Sequence, residues 1–160
     1  MPRRSPDEAT HVAIIGAGLI GGGWAAHFLR RGYTVTAWDP APDAESRLNA
    51  ILDAAWPALE TLGFAPGAAR SKLRFAPTLA EAVAGAEFIQ ESAPDDRALK
   101  ERVFGEIDAA ADLDTPIASS TSGILMSTMD SLARHPERLL VGHPFLPNYI
   151  LPLVEVVGSP

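Results

Sequence analysis

Short apolar segments alternate with longer amphipathic stretches along most of the chain. Short runs rich in β-branched and aromatic residues are typical of buried strands, whereas apolar residues that recur about every three to four positions are typical of helices. The predicted strands are residues 11–15, 34–38, 73–75, 88–92, 117–119, 139–142 and 154–157, and the predicted helices are residues 19–31, 43–62, 78–84, 97–111 and 127–133. This alternation predicts an α/β fold, a doubly wound and mostly parallel sheet with helices on both faces.

The second predicted helix has a continuous apolar face, formed by Leu48, Ile51, Leu52, Ala55, Trp56 and Leu59. Pro57 falls inside the same stretch. Proline lacks the backbone N–H that an interior helical position donates, so we expect a kink or an early end of the helix there.

The first predicted strand runs directly into Gly16-Ala17-Gly18-Leu19-Ile20-Gly21, and a helical pattern follows. This is the G-x-G-x-x-G spacing of a dinucleotide-binding βαβ unit of the Rossmann type. Gly16 allows a sharp turn, Gly18 allows the backbone to approach a pyrophosphate, and Gly21 allows the helix to pack close to the sheet. The N–H groups at the start of that helix would face the phosphates. A strand, turn and helix without a ligand is the alternative.

Asp39 ends the second predicted strand, 18 residues after Gly21. A carboxylate at this point accepts hydrogen bonds from the adenosine ribose hydroxyls of NAD and repels the 2′-phosphate of NADP. The segment 39–43 contains no arginine that could bind such a phosphate. The sequence therefore favours NAD over NADP. The glycine motif alone does not distinguish NAD from a flavin dinucleotide as the cofactor.

The length, composition and net charge of the chain limit the number of domains and the kinds of partner. The chain has 160 residues, 47% of them hydrophobic, which suits one domain with a substantial core. A net charge of −7 argues against nucleic acid as a partner, and no apolar run reaches the length of a membrane span. The absence of cysteine excludes disulfides and thiolate metal ligands. We expect a disordered lead-in at residues 1–10, a single domain at 11–160, no metal site and a cytoplasmic location.

The C-terminal third contains a second group of polar residues. A hydroxyl-rich segment, 119–123, follows a predicted buried strand, and His143 lies between a glycine and a proline. Glu155 interrupts the apolar run 153–157. A histidine paired with a carboxylate is a workable general base, because the carboxylate orients the imidazole and stabilises its charged form. The alternatives are a helix-capping role for the hydroxyls and an outward-facing strand position for Glu155.

These motifs resemble the NAD-binding domain of the 3-hydroxyacyl-CoA dehydrogenase family over nearly the whole chain. The matching segments are residues 16–21, Asp39, residues 119–122, 143–145 and 152–156. The resemblance implies that His143 takes the proton of a substrate 3-hydroxyl, that Glu155 orients His143, and that Ser122 hydrogen-bonds the reacting oxygen. It also implies a set of cofactor-binding residues, namely Gly16, Gly18, Leu19, Ile20, Gly21, Asp39, Pro94 and Lys100.

The resemblance implies an enzyme that oxidises the 3-hydroxyl of a small molecule to a ketone with NAD. The segments 37–42, 55–60, 88–94 and 141–145 are most similar to the carnitine-oxidising members, which convert L-carnitine to 3-dehydrocarnitine. A 3-hydroxyacyl-CoA such as 3-hydroxybutyryl-CoA is the alternative substrate. A non-catalytic NAD-binding or crystallin-like structural protein is the second alternative.

The chain departs from the family pattern in three places. Leu146 stands where the family has the asparagine of His-x-x-Asn-Pro, and Asp95 stands where it has glutamate. Family members also have a helical C-terminal domain that closes over the substrate and forms a homodimer. We expect that domain to be absent from these 160 residues, so that this chain alone is poorly active and the full-length protein dimerises through it.

Overall fold

The computed structural model describes residues 8–158, in which seven strands form a single sheet. The strands are β1 (His11–Ile15), β2 (Thr34–Trp38), β3 (Leu73–Phe75), β4 (Phe88–Glu91), β5 (Ile117–Ser119), β6 (Leu139–Pro144) and β7 (Val154–Gly158). The α-helices are α1 (Leu19–Arg30), α2 (Ala44–Leu62), α3 (Leu79–Val83) and α4 (Arg97–Ala110). The predicted α/β fold and the order of its main elements are confirmed.

The strand order is β3-β2-β1-β4-β5-β6-β7, and only β7 runs antiparallel to its neighbour. From β1 the chain first builds outward through β2 and β3, and then returns to the other side of β1 to add β4 and β5. In such sheets the point where the order reverses leaves a crevice at the carboxyl ends of the strands, where ligands bind. Here that crevice lies between β1 and β4.

The sheet separates two apolar clusters. Val12 and Ile14 of β1 face the cluster that contains α1 and α2, while Ala13 and Ile15 face the cluster that contains α3 and α4. Successive side chains of a strand point to opposite faces, so β1 contributes to both layers and is almost fully buried. Burial on both faces explains why this strand is an uninterrupted apolar run.

Helix α2 continues through Pro57 to Leu62, so the early end proposed at Pro57 is wrong. Pro57 lies on the exposed side of the helix, where water can satisfy the carbonyl that loses its N–H partner. The buried face of α2 includes Leu48, Leu52, Ala55 and Leu59, and the predicted apolar face is thereby largely confirmed.

The predicted helix at 127–133 is wrong, because this segment contains a short 3₁₀ helix, Met126–Thr128, followed by turns. Side chains three residues apart eclipse in 3₁₀ geometry. Met126 and Met129 therefore both reach the core, where they are 3% and 0% exposed. The Thr128 hydroxyl donates to the Leu125 carbonyl at 2.7 Å and competes with α-helical hydrogen bonding.

Three strand ends differ from the prediction, and one of them is the end of β7 at Gly158 instead of residue 157. Strand β6 continues through His143 to Pro144, because these residues pair with β7, and β4 ends at Glu91. Residues 1–7 of the predicted lead-in lie outside the described residues, whereas the Thr10 N–H donates to Glu87 Oε2 at 2.7 Å. Within residues 8–158, none of the helices has the length and apolar character needed to cross a bilayer.

Candidate functional site

The glycine turn between β1 and α1 depends on contacts that only glycine allows. Gly16 adopts a φ of 95°, in the left-handed region, and its N–H donates to the Trp38 carbonyl at 2.8 Å. A Cβ on Gly21 would overlap the carbonyl oxygen of Gly16. The turn and the first turn of α1 are therefore held in direct contact, as the sequence predicts for a dinucleotide site.

The space above this turn fits a dinucleotide. A Cβ on Gly18 would meet no atom of the described residues within 4 Å, so the backbone there is open to a ligand. Gly18 is also the N-cap of α1, and no side chain caps the first N–H groups of that helix. Uncapped N–H groups at a helix start bind phosphate oxygens well. Leu19 is exposed and Ile20 is half-buried at the same point.

Asp39 connects the end of β2 to the glycine turn. Its Oδ2 accepts from the Ala17 N–H at 2.9 Å, and its Oδ1 accepts from the Ala41 N–H at 2.9 Å. Each carboxylate oxygen has a further lone pair, so both retain the capacity to accept a ribose hydroxyl. The carboxylate is half-buried and stands beside the open backbone of the turn. This arrangement suits the adenosine ribose of NAD.

His143 and Glu155 face each other across the antiparallel pair β6 and β7. They occupy opposite positions in the register, and His143 Nδ1 lies 2.9 Å from Glu155 Oε2. An ionised carboxylate can only accept, so Nδ1 carries a hydrogen, and in the neutral form of the imidazole Nε2 is then the nitrogen with the lone pair. The side chains are 25% and 62% exposed, which leaves the pair open to a ligand.

Ser122, His143 and Glu155 line one cavity of about 640 Å³. Its wall also carries apolar side chains from the segment after β5 and from the sheet edge, namely Ile124, Leu125, Met126, Val141, Val156 and Val157. Few polar groups in a largely apolar cavity are typical of sites for small molecules. The structure thus brings together all three residues to which the family resemblance assigns catalytic roles.

Asp95 anchors the hydroxyl-rich loop from the other side. Its Oδ1 accepts from the Thr121 hydroxyl at 2.6 Å and its Oδ2 accepts from the Ser122 hydroxyl at 3.3 Å. Desolvation alone would raise the pKa of Asp95, but the Thr121 hydrogen bond and the nearby charge of Lys100 hold that pKa below its ordinary value. Asp95 therefore stays ionised and keeps Ser122 next to the loop after β4.

Lys100 lies beneath this loop. It is 1% exposed, and its Nζ donates to Glu91 Oε1 at 2.8 Å, to Glu91 Oε2 at 3.0 Å and to the Ala93 carbonyl at 3.0 Å. The resemblance assigns Lys100 to the cofactor, yet all its visible contacts are internal. The contacts of Lys100 support the loop that carries the exposed Pro94.

Sequence reasoning missed Glu91, the partner of Lys100. The Glu91 side chain is fully buried; its Oε1 accepts from the Ala93 N–H at 2.6 Å and its Oε2 accepts from the Ser119 hydroxyl at 2.6 Å. Buried carboxylates need partners of this kind. A glutamate inside a predicted buried strand, nine residues before a lysine on a helix, was the available signal.

Asn148 is the second residue that the sequence reasoning left without a role. It is 3% exposed, and its Nδ2 donates to the Ile20 carbonyl in the first turn of α1 at 3.0 Å. A Cβ on Gly23 would overlap the Asn148 amide. Asn148 therefore fastens the loop after β6 to the cofactor helix, while Leu146, at the position of the family asparagine, is 52% exposed.

Comparison with known proteins gives matches over nearly the whole chain. Residues 11–160 match the family described as 3-hydroxyacyl-CoA dehydrogenase, NAD binding domain. The L-carnitine dehydrogenase of Nocardiopsis dassonvillei is 61% identical over 157 residues, which cover 98% of this chain and 48% of that protein. The L-carnitine dehydrogenase of Streptomyces griseus is 58% identical over 155 residues, covering 97% of this chain and 46% of that protein. The chain thus spans about half the length of these relatives.

A solved structure shows the same arrangement of elements. The NAD⁺-dependent dismutase 5-formyl-3-hydroxy-2-methylpyridine 4-carboxylic acid 5-dehydrogenase superposes with a TM-score of 0.86 at 37% identity, over 94% of this chain and 50% of that one. The predicted cofactor, NAD, and the predicted Rossmann fold are confirmed by these matches. The chain belongs to the 3-hydroxyacyl-CoA dehydrogenase family and matches its NAD-binding domain over residues 11–160.

Proposed function

We propose that the protein is an NAD-dependent dehydrogenase that oxidises the 3-hydroxyl of a small substrate to a ketone, with residues 11–160 as its cofactor-binding unit. The observation that carries this proposal is the His143–Glu155 pair at 2.9 Å, which shares one cavity wall with Ser122. This cavity lies at the edge of the sheet where β6 and β7 meet. Because the pair is partly exposed, it can reach a substrate hydroxyl.

Each side chain has a defined task in this reaction. His143 Nε2 accepts the proton of the substrate hydroxyl, and the Glu155 carboxylate holds Nδ1–H in place and stabilises the resulting imidazolium. The Ser122 hydroxyl donates to Asp95 at 3.3 Å without substrate, and turns this hydrogen to the substrate oxygen when the substrate binds. NAD, when bound, supplies the electron acceptor. The glycine turn and Asp39 hold its phosphates and adenosine ribose.

L-carnitine is the proposed substrate, with 3-dehydrocarnitine as the product. The support is that proteins named L-carnitine dehydrogenase are 61% and 58% identical to nearly all of this chain. A side-by-side assay of NADH formation by the full-length protein, with L-carnitine and with 3-hydroxybutyryl-CoA, tests this choice. Faster turnover of carnitine at equal concentration supports the proposal. Turnover of the thioester alone would assign the protein to 3-hydroxyacyl-CoA substrates, and no turnover of either would favour a non-catalytic NAD-binding role.

The proposed base is tested by His143→Ala in the full-length protein. Loss of general-base catalysis typically lowers kcat by about 10²- to 10⁴-fold, and we expect a fall in this range with unchanged NAD affinity. His135→Ala is the matched control, because His135 lies in a turn outside the cavity and contacts the exposed Glu137. Equal activity of the two variants would remove His143 from the mechanism.

We also propose that a helical domain covers β7 and forms a homodimer in the full-length protein, and that residues 1–160 alone are poorly active. The supporting observation is an exposed apolar strand, in which Val156 and Val157 are 67% and 56% exposed. Such patches mark contact surfaces. Sedimentation of the full-length protein tests the dimer. The cytoplasmic location remains part of this proposal and is tested by cell fractionation.

A further inference from the structure

Ser92 occupies the crevice at which the strand order reverses. It directly follows β4, and its N–H donates to the Ile15 carbonyl at the end of β1 at 2.7 Å. A Cβ on Gly16 would lie 2.6 Å from the Ser92 carbonyl group, so the glycine turn passes closely over this residue. The Ser92 side chain is half-buried. Ser92 therefore lies beside the turn that binds the cofactor phosphates.

A buried amide fixes the direction of the hydrogen bonds behind Ser92. One atom of the Gln90 amide lies 2.8 Å from the Ser120 hydroxyl and 3.3 Å from the Gly142 carbonyl oxygen. A carbonyl oxygen can only accept, so the atom that contacts it is the amide nitrogen Nε2. Gln90 consequently donates one hydrogen to Gly142 and the other to Ser120.

Ser120 receives a second donor. The Trp24 indole Nε1, which can only donate, lies 3.3 Å from the Ser120 hydroxyl. A hydroxyl has two acceptor lone pairs and one hydrogen. Gln90 and Trp24 occupy both lone pairs, so the hydrogen of Ser120 must point to its remaining neighbour, the Ser92 hydroxyl, at 2.9 Å.

The hydrogen of the Ser92 hydroxyl needs an acceptor of its own. Ser92 accepts from Ser120, and within residues 8–158 its hydroxyl has no other hydrogen-bond partner. The hydrogen therefore points away from the buried network and into the crevice. Successive hydroxyls in such a chain polarise one another, which makes the outermost hydroxyl a better donor.

We infer that Ser92 donates this hydrogen bond to an oxygen on the nicotinamide nucleoside half of NAD, and this inference rests on the proposed function. The order of the sheet determines which half of the cofactor lies there. Asp39 follows β2, on one side of β1, whereas Ser92 follows β4 on the other side, toward β6 and His143. A cofactor with its adenosine ribose at Asp39 and its phosphates at the glycine turn extends its nicotinamide half past Ser92. The acceptor is the carboxamide oxygen or a ribose oxygen.

The test compares Ser92→Ala with the unmodified protein, by calorimetric titration with NADH, ADP-ribose and ADP. One net hydrogen bond corresponds to roughly a three- to tenfold change in affinity, and we expect NADH to bind weaker by that factor while ADP is unaffected. Ser92→Cys keeps the size of the side chain but is a poor donor, and should behave like Ser92→Ala. Ser131→Ala is the control, because Ser131 is exposed and bonds only Glu101 among the described residues.

ADP-ribose identifies the acceptor. A loss of affinity for ADP-ribose as well as NADH supports a ribose oxygen, and a loss for NADH alone supports the carboxamide. Unchanged NADH affinity in Ser92→Ala, or an equal loss for NADH and ADP, would overturn the assignment. If the unmodified protein binds none of these nucleotides, the proposed function fails and the role of Ser92 fails with it.

Discussion

The Asp39 carboxylate holds the glycine turn in place and is also the group proposed to bind the adenosine ribose. Its oxygens accept the N–H groups of Ala17 and Ala41, both at 2.9 Å, and thereby fix the glycine turn relative to the end of β2. Its remaining lone pairs and its negative charge stand where the adenosine ribose is proposed to bind. The same atoms that hold the turn are therefore the ones that we propose distinguish a ribose hydroxyl from a ribose phosphate.

Replacing Asp39 with asparagine tests its role in the choice between NAD and NADP. Asparagine removes the charge and one acceptor, so Asp39→Asn should weaken NAD binding by roughly tenfold, as expected for loss of a hydrogen bond to a charged group. NADP binding should change less, because the repulsion of its 2′-phosphate is also removed. Calorimetric titration with both nucleotides measures the ratio. Asp43→Asn is the control, since Asp43 is exposed and pairs with Arg47. Tighter binding of NADP than of NAD by the unmodified protein would contradict the role of Asp39.

At the scale of elements, the β6–β7 pair determines the geometry of the base. The antiparallel register places His143 opposite Glu155. A shift of that register by one residue would move one of these side chains to the other face of the sheet. The exposed Val156 and the half-buried Val141 line the cavity beside the pair. The geometry of the proposed base is therefore a property of two paired strands that lie at the edge of the sheet.

The α1 helix allows a contrast between two of its glycines. Ala at Gly18 would project into open space, so Gly18→Ala should change the free energy of unfolding by no more than about 1 kcal/mol and yet weaken NAD binding severely. Ala at Gly21 would overlap the Gly16 carbonyl, so Gly21→Ala should destabilise the fold by about 3 kcal/mol or more. Urea unfolding and NAD titration of both variants make the comparison. Normal NAD affinity in Gly18→Ala would show that the pyrophosphate does not bind at this turn.

At the scale of the whole molecule, a buried ion pair joins α4 to the segment before β6. Asp108 Oδ1 accepts from Arg138 Nε at 2.9 Å and from Nη2 at 2.7 Å, and both side chains are almost fully buried. Asp108 Oδ2 also accepts from the Arg134 N–H at 2.7 Å. This pair connects the helix layer to the edge of the sheet on which His143 lies.

The pair makes stability depend on pH. Burial alone would raise the pKa of Asp108, but the hydrogen bonds from Arg138 and from the Arg134 N–H hold it below its ordinary value. A lowered pKa in the folded state gives stability that is present above the unfolded pKa of about 3.9 and is lost as the pH falls toward the folded value.

Asp108→Asn tests this dependence. The variant should lose about 3–5 kcal/mol of unfolding free energy at pH 7, because Arg138 is left buried without its carboxylate. The difference from the unmodified protein should shrink as the pH falls below about 4, where Asp108 becomes protonated in the unfolded chain while it is still ionised in the folded protein. Urea unfolding across this pH range measures both effects. Asp53→Asn, which breaks the surface pair with Arg70, should cost less than about 1 kcal/mol. A constant difference at all pH values would contradict the ionised state of Asp108.

Local patterns were enough to predict most elements of this fold and the cofactor. The apolar runs, the glycine spacing of 16–21 and the carboxylate at Asp39 depend on interactions between near neighbours in the chain, so each leaves a readable signal in the sequence. The segment 127–133 was the exception. Met129 in this segment and Met126 just before it are buried and three residues apart, a spacing that suits an α-helix and a 3₁₀ turn equally well, and only the core that receives them favours the turn.

The sequence by itself determined the α/β architecture, the dinucleotide turn and the identity of the residues that could carry the chemistry. The tertiary structure alone decided which polar groups meet. In the folded chain Lys100 donates to the buried Glu91, and His143 lies opposite Glu155. The Trp24 indole contacts the Ser120 hydroxyl, although these two residues are 96 positions apart in the sequence. Strand order and register set such contacts, and they are the outcome of packing the entire sheet rather than of any local pattern. For this reason the candidate residues could be named from the sequence, while their hydrogen bonds required the fold.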